Sequence, residues 1–411
     1  MEETVAAAKA MAAPTLPLKL TLTQLSSPIP EGSPHPALAR THHTVTVLDN
    51  KAFLFGGEDA SGDVCPPGIH TLTLPPTTTK EPPAYYGTAY TCYPPFPLQD
   101  AATGETLVPA PRAEHAACAY DGRYLLVHGG RRDGAGRPAD RDNCLWQWDS
   151  ERLSWSKLRG DSQLGKSMAP RCGHWMFADG RQGFVVVVGG RATTTSSGVE
   201  EEEEMEIGKE AWMYDFHSMV WTALPGLPVR PVAAAYAGGR VYVISSGEGR
   251  GLVHYMDLLN STVEREKPGA LVWRSVDDPG AVHPKPRPGG ALVPLTVGHG
   301  REYLVYILGC SEGEGGRAEI WTLQQPAHSR SAAAVGDKIR EKLAGAESEE
   351  FGWAEADIVS TEGTAEGRQV HRGPTGSLSA DTCFDGKGVV LWEGINARGG
   401  EEGHGWILRL A

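Results

Sequence analysis

What the chain lacks narrows the possibilities first. No apolar run approaches the length of a membrane-spanning helix; Phe184 to Val188 is one of the strand-like ones. The start, Met1-Glu2-Glu3-Thr4, has neither the basic residues nor the apolar stretch of a secretory leader. Cysteine is sparse and odd in number, seven in all (Cys65, Cys92, Cys118, Cys144, Cys172, Cys310, Cys383), widely spaced and without a C-x-x-C pair. That spacing argues against a disulfide framework or a zinc knuckle and fits reduced thiols. Positive charge is in deficit: 38 Lys and Arg stand against 51 Asp and Glu, a formal net charge of -13. Diffuse negative charge repels phosphate backbones and anionic lipid headgroups, so neither nucleic acid nor a membrane surface is the expected partner. Part of the excess is local, in Glu200 to Glu204 with Glu206, which reads as a solvated loop. The expectation is a soluble monomer of the cytosol or nucleus.

What is abundant points to strands and turns. Gly (51) and Pro (30) make about a fifth of the 411 residues, too many for a helical protein. A short apolar run ending in Gly-Gly occurs at Phe53 to Gly57, Leu125 to Gly130 and Val185 to Gly190. Weaker copies lie at Val241 to Gly247, Leu304 to Cys310 and Val389 to Gly394. Such runs read as buried strands ended by tight turns. About fifteen residues upstream of five of the six stands an arginine step: Ala39-Arg40, Pro111-Arg112, Pro170-Arg171 and Pro286-Arg287, with Val229-Arg230 as a variant. Downstream come an aromatic strand ending in Asp, as in Trp146-Gln147-Trp148-Asp149, and a strand with Trp and Leu, as in Trp155-Ser156-Lys157-Leu158.

Four strands per repeated unit is the sequence form of a propeller blade. With its Gly-Gly, aromatic-Asp and Trp-x-x-Leu stations, the pattern resembles the kelch repeat over residues 17–411. The fold expected is all-β: a six-bladed propeller, with an insertion at about 192–209 and a disordered segment over 1–16. The last unit holds only three strands, at Ser377 to Phe384, Val389 to Gly394 and Gly405 to Leu410. The alternating stretch Leu18 to Leu25 supplies the missing outer strand and closes the ring.

Several motifs carry chemistry on paper. Gly160 to Ser167 matches a phosphate-binding P-loop, but Pro170 and Gly173 follow where that loop needs a helix. His42 or His43, His115 and His174 recur after the arginines, a spacing that permits a shared metal. The kelch resemblance instead implies that each bonds a neighbouring backbone group, so no metal and no cofactor is expected. Galactose-oxidase-like enzymes are secreted copper proteins, and no such ligand set is recognisable here. The Glu-x-x-x-Asp-x-x-x-His iron motif of nitrile-specifier-like propellers is absent as well.

The resemblance also implies a function. In kelch adaptors, arginines at the pre-strand station line the binding face, which would set Arg40, Arg112, Arg171, Arg230 and Arg287 around the channel mouth, with His115 and His174 beside them. Converging guanidiniums would attract a carboxylate, a phosphate or an acidic peptide. The expected function is therefore non-catalytic recognition of a protein or small anionic ligand. Its rival is a lyase, isomerase or cyclase of small-molecule metabolism working in the channel.

Overall fold

A computed structural model describes residues 16–26, 38–76, 85–140, 144–162, 168–192, 208–246, 253–259, 271–276, 282–298, 301–308, 319–326, 333, 335–338, 351–359, 378–383, 385–394 and 404–411. Apart from a few helical residues between 333 and 338, these form strands, turns and connections. Six antiparallel sheets of four main strands each stand as blades around an axis. Their first strands are Thr44–Leu48, Ala116–Tyr120, Trp175–Asp179, Pro231–Ala237, Ala291–Gly298 and Leu378–Thr382. Each packs against the first strands of the blades on either side, so the six enclose a central channel.

The second strands explain the apolar runs. Phe184–Val188 is buried along its whole length. Because side chains alternate across a strand, it serves two interfaces. Val185 and Val187 pack toward blade 2, while Val186 and Val188 pack toward blade 4. Blade 5 repeats this with Leu304 and Tyr306 on one side and Tyr303 and Val305 on the other. Six apolar clusters result, one in each gap between neighbouring blades.

The glycine doublets serve the same interfaces. Gly129 and Gly130 have φ of 62° and 95°, which side chains rarely adopt. A Cβ on Gly129 would lie 2.6 Å from the Arg171 carbonyl oxygen and 2.7 Å from the His174 ring of the next blade. Freed of it, the Gly130 N–H donates to that carbonyl at 2.9 Å, as the Gly57 N–H does to Arg112.

The ring closes as its three-stranded last unit requires. Lys19–Ser26 pairs antiparallel with His404–Leu410, from Leu20 opposite Leu410 to Leu25 opposite Gly405. Its outer edge is covered in parallel by Asp357–Val359 at one end and Tyr85–Gly87 at the other, which removes an edge open to strand addition. The expected disorder of 1–16 and the acidic insertion fall almost wholly outside the described residues, as does most of the P-loop match. Gly160 itself packs against Tyr214 and Trp221, and the next residues, Asp161–Ser162, add a short strand to blade 3.

Closure can be tested by truncation. Leu18, Leu20 and Leu25 are buried, and losing such side chains removes roughly 1.5–3 kcal/mol each. A chain lacking residues 1–26 should melt far below the full-length protein or aggregate. Leu20→Ala alone should cost about 2–5 kcal/mol in urea denaturation. A truncated chain that melts within about two degrees of the full-length one would refute closure through this strand.

Candidate functional site

The arginine station lies inside the blades. Arg112 and Arg171 are fully buried. The Arg112 guanidinium donates from NH1 to the Gly129 carbonyl (2.9 Å) and to Asp140 Oδ2 (2.6 Å), and from Nε to the Ala110 carbonyl (3.1 Å). Asp140 also accepts from Trp146 Nε1 at 3.1 Å. Blade 3 repeats the unit: Arg171 donates to the Gly189 carbonyl and to Glu210, which accepts from Trp212 Nε1 at 3.0 Å. In blade 5, Arg287, Glu319 and Trp321 form a more exposed version. In blade 1, Arg40 donates to the Gly56 carbonyl (2.8 Å) and to His70 Nε2 (3.2 Å), leaving His70 Nδ1–H to face the Tyr90 hydroxyl (2.8 Å).

The ring of five converging arginines is therefore corrected. A buried guanidinium needs polar partners to replace water; blades 2, 3 and 5 supply a carboxylate, and blade 1 a carbonyl and an imidazole. None of the five lines the channel. Arg230 alone among them is exposed and has no ion-pair partner among the described residues.

His115 and His174 do line the channel, but as wedges between blades. His115 Nε2 meets Thr44 Oγ1 of blade 1 at 2.8 Å, and His174 Nε2 meets His128 Nδ1 of blade 2 at 3.0 Å. The partner is thus a side chain of the adjacent blade, where a backbone group of the same blade was expected. Burial, with Arg112 near one and His128 near the other, holds both rings well below the ordinary imidazole pKa. Among the described residues no group of three or more His, Cys, Asp or Glu is arranged to hold a metal.

A second set of charges joins the glycine turns of blades 1 to 3. Glu58 accepts from Arg131 through both oxygens (2.6 and 2.7 Å) and faces His42 Nδ1 at 2.9 Å. Arg131 Nε donates to Glu114 Oε1 (2.9 Å), and Glu114 Oε2 accepts from Arg191 (2.5 Å). Burial pushes the Glu58 carboxyl up, but the bonds from Arg131 and His42 outweigh it and keep it below the usual range. Glu58, Arg131 and Arg191 each directly follow a Gly-Gly doublet, a repeated station that the sequence displays and the motif search passed over. Arg191 is the most exposed of the three, and it lines a pocket of about 150 Å³ with Arg230, Trp175, Pro231 and the glycines Gly173, Gly190 and Gly208. Two guanidiniums and three glycines thus line one solvent-open pocket, and guanidiniums pair well with anions.

The channel differs in character. About 470 Å³ is enclosed by residues of all six blades, mostly Ala, Val, Leu and aromatics. Among the described residues its lining contains one carboxylate, Asp381, and no Lys or Arg. Asp381 Oδ2 accepts from the Val47 N–H (2.7 Å) and Oδ1 from the Thr382 N–H (2.8 Å), while Ser379 Oγ accepts from the Val45 N–H (2.7 Å). Burial pushes the Asp381 carboxyl up to about 6, against those two hydrogen bonds. A further motif that the sequence reading missed, Gly309-Cys310-Ser311-Glu312-Gly313, has the G-x-S-x-G form but lies outside the described residues. The described elements flanking it, Arg301–Leu308 and Glu319–Gln324, are paired strands of blade 5, whereas a nucleophile elbow leads into a helix.

No family model matches the chain. It is similar to two Arabidopsis thaliana proteins, acyl-CoA-binding domain-containing protein 5 (28% identical over 151 residues) and acyl-CoA-binding domain-containing protein 4 (27% over 151). Each match covers 37% of this chain and 19% or 18% of the relative, so the chain spans about a fifth of the length of the curated relatives it matches. No described helix is long and apolar enough to cross a membrane.

Two outcomes follow from this geometry. Arg112→Ala leaves Asp140 buried without its cation and should cost about 3–5 kcal/mol in urea denaturation, with Arg112→Lys recovering only part. Arg287→Ala, at a half-exposed pair, should cost far less. Stability should also fall with pH below 6.5. His43 and His128 are held at about 3, chiefly by burial, and His115 and His174 are also strongly lowered. Their folded pKa lies below the unfolded value, so the unfolded chain binds protons first and each ring removes roughly 1.4 kcal/mol per pH unit. Asp381, raised in the folded state, opposes this between about pH 4 and 6 with a single proton. Urea midpoints at pH 7.5, 6.5 and 5.5 check the sum. A flat profile would show that the four rings are not buried neutral.

Proposed function

We propose that the chain is a kelch-type propeller of the cytosol and a non-catalytic recognition module, which binds an acidic segment of a protein partner on the face carrying the glycine turns. The observation that carries this reading is the pocket shared by Arg191 and Arg230. Arg230 is exposed and has no ion-pair partner among the described residues, and Arg191 reaches the pocket with only Glu114 as its carboxylate. In a chain of net charge -13, such a cationic spot is locally distinct. The glycine floor lets a peptide backbone approach closely, and the Trp175 ring beside it offers an apolar contact.

Arg40, Arg112, Arg171 and Arg287 support the face by holding its turns, so their contribution to binding is indirect. His115 and His174 contribute in the same way, by setting the blades' mutual angle. The relatives' names raise an acyl-CoA ligand, itself a polyanion, and that is an outcome of the same test. The rival reading, a lyase, isomerase or cyclase, rests on the enclosed channel and its lone carboxylate.

The probe is a fluorescein-labelled hexaglutamate peptide followed by polarisation. Saturable, salt-sensitive binding is expected, weakened about tenfold by Arg230→Ala and further by the double change with Arg191→Ala. Competition by an acyl-CoA at lower concentration than the unlabelled peptide would move the ligand class to the small molecule. Unchanged affinity in the double variant would remove this pocket from recognition.

A further inference from the structure

The channel asks for a ligand of the opposite sign. Its walls come from all six blades, and its volume of about 470 Å³ lies within the range of small-molecule sites. The two histidines in the lining are neutral, because burial holds their pKa far below neutrality. That leaves Asp381 as the one full charge of the wall. Neither of its oxygens meets a cation among the described residues; both face backbone N–H groups. A carboxylate oxygen offers about two acceptor positions, so each oxygen keeps one free after those bonds. A half-buried carboxylate among mostly apolar walls is stabilised when an opposite charge is placed beside it.

The surroundings sharpen the chemistry. Trp175, Phe177 and Tyr236, whose side chains also pack against the core between blades 3 and 4, belong to the same lining, and much of the remainder is Ala, Val and Leu. Ring faces attract a desolvated cation, and apolar walls take up a hydrocarbon body. We propose that the central channel binds a small organic cation, an amine with an apolar portion, whose ammonium group is held by Asp381 and whose body lies against the aromatic and aliphatic wall. Ser379, two residues earlier on the same strand, also faces the first blade and keeps Val45 N–H occupied, so the strand pair is held without drawing on the free positions of Asp381. This site shares Trp175 with the Arg191 and Arg230 pocket but differs from it in the sign of its charge.

The test compares three isosteric probes on the unmodified full chain by calorimetry: phenethylamine, neutral propylbenzene and anionic 3-phenylpropanoate. Phenethylamine should saturate one site, and the anion should give no saturable heat. Choline and spermidine, run alongside, gauge how large a cation is accepted. Asp381→Asn keeps an acceptor for the Val47 N–H and removes the charge; it should weaken phenethylamine by about tenfold or more while leaving hexaglutamate binding unchanged. Equal binding of amine and anion, or no saturation by any of the cations at millimolar concentration, would overturn the proposal. So would an Asp381→Asn protein that is folded by circular dichroism and binds the amine as before. The comparison on the unmodified chain decides the point even if the variant fails to fold.

Discussion

Every blade has two apolar faces and no face to spare for water. Each second strand is buried on both sides, and its alternate residues belong to different interfaces, so no blade is stable alone and no gap in the circle is tolerable. From this requirement the other features follow. Glycine doublets let one blade's turn touch the next blade's backbone, imidazole wedges fill the space beside them, and the first strand of the chain completes the last sheet. The arginine, carboxylate and tryptophan units serve the same end by locking each turn to its own blade.

Much of this could be read from the sequence, because it is written as repetition. The glycine-ended runs, the aromatic-Asp strands and the three-stranded last unit predicted six blades and the closing role of Leu18 to Leu25, and the strand pairing agrees. Side-chain direction at a loop position has no such periodic signature. Arg112 and Arg230 occupy equivalent places in the repeat, yet one is buried against Asp140 and the other stands in solvent. What separates them is a partner elsewhere: Asp140 lies near the start of the third strand of blade 2, and Trp146 secures it. Blade 4 has His254 where blades 2 and 3 have Trp146 and Trp212, and that difference was visible in the sequence. Asp381 was equally visible, as a charge within the strand-like stretch Ser377 to Phe384, but only the closed ring shows that this stretch faces the axis.

The two proposed sites differ in the sign of their charge. On the face, guanidiniums that follow the glycine turns are partly satisfied by Glu58 and Glu114 and partly left to solvent, with the end of the chain of charges at Arg191 most open. On the axis, a single carboxylate stands in an apolar tube. A propeller makes such a division easy, because residues on the turns and residues on the first strands are set independently by the same repeat.

Closure by the first strand also sets a schedule for synthesis. Lys19–Ser26 is made about 380 residues before its partner His404–Leu410. At about 5–20 residues per second, the early strand waits roughly 20 to 80 seconds with an alternating apolar face and no sheet to join. During that interval each finished blade exposes a face meant for a neighbour, and the growing arc is open at both ends. The nascent chain therefore depends on whatever shields those surfaces in the cell until His404–Leu410 emerges.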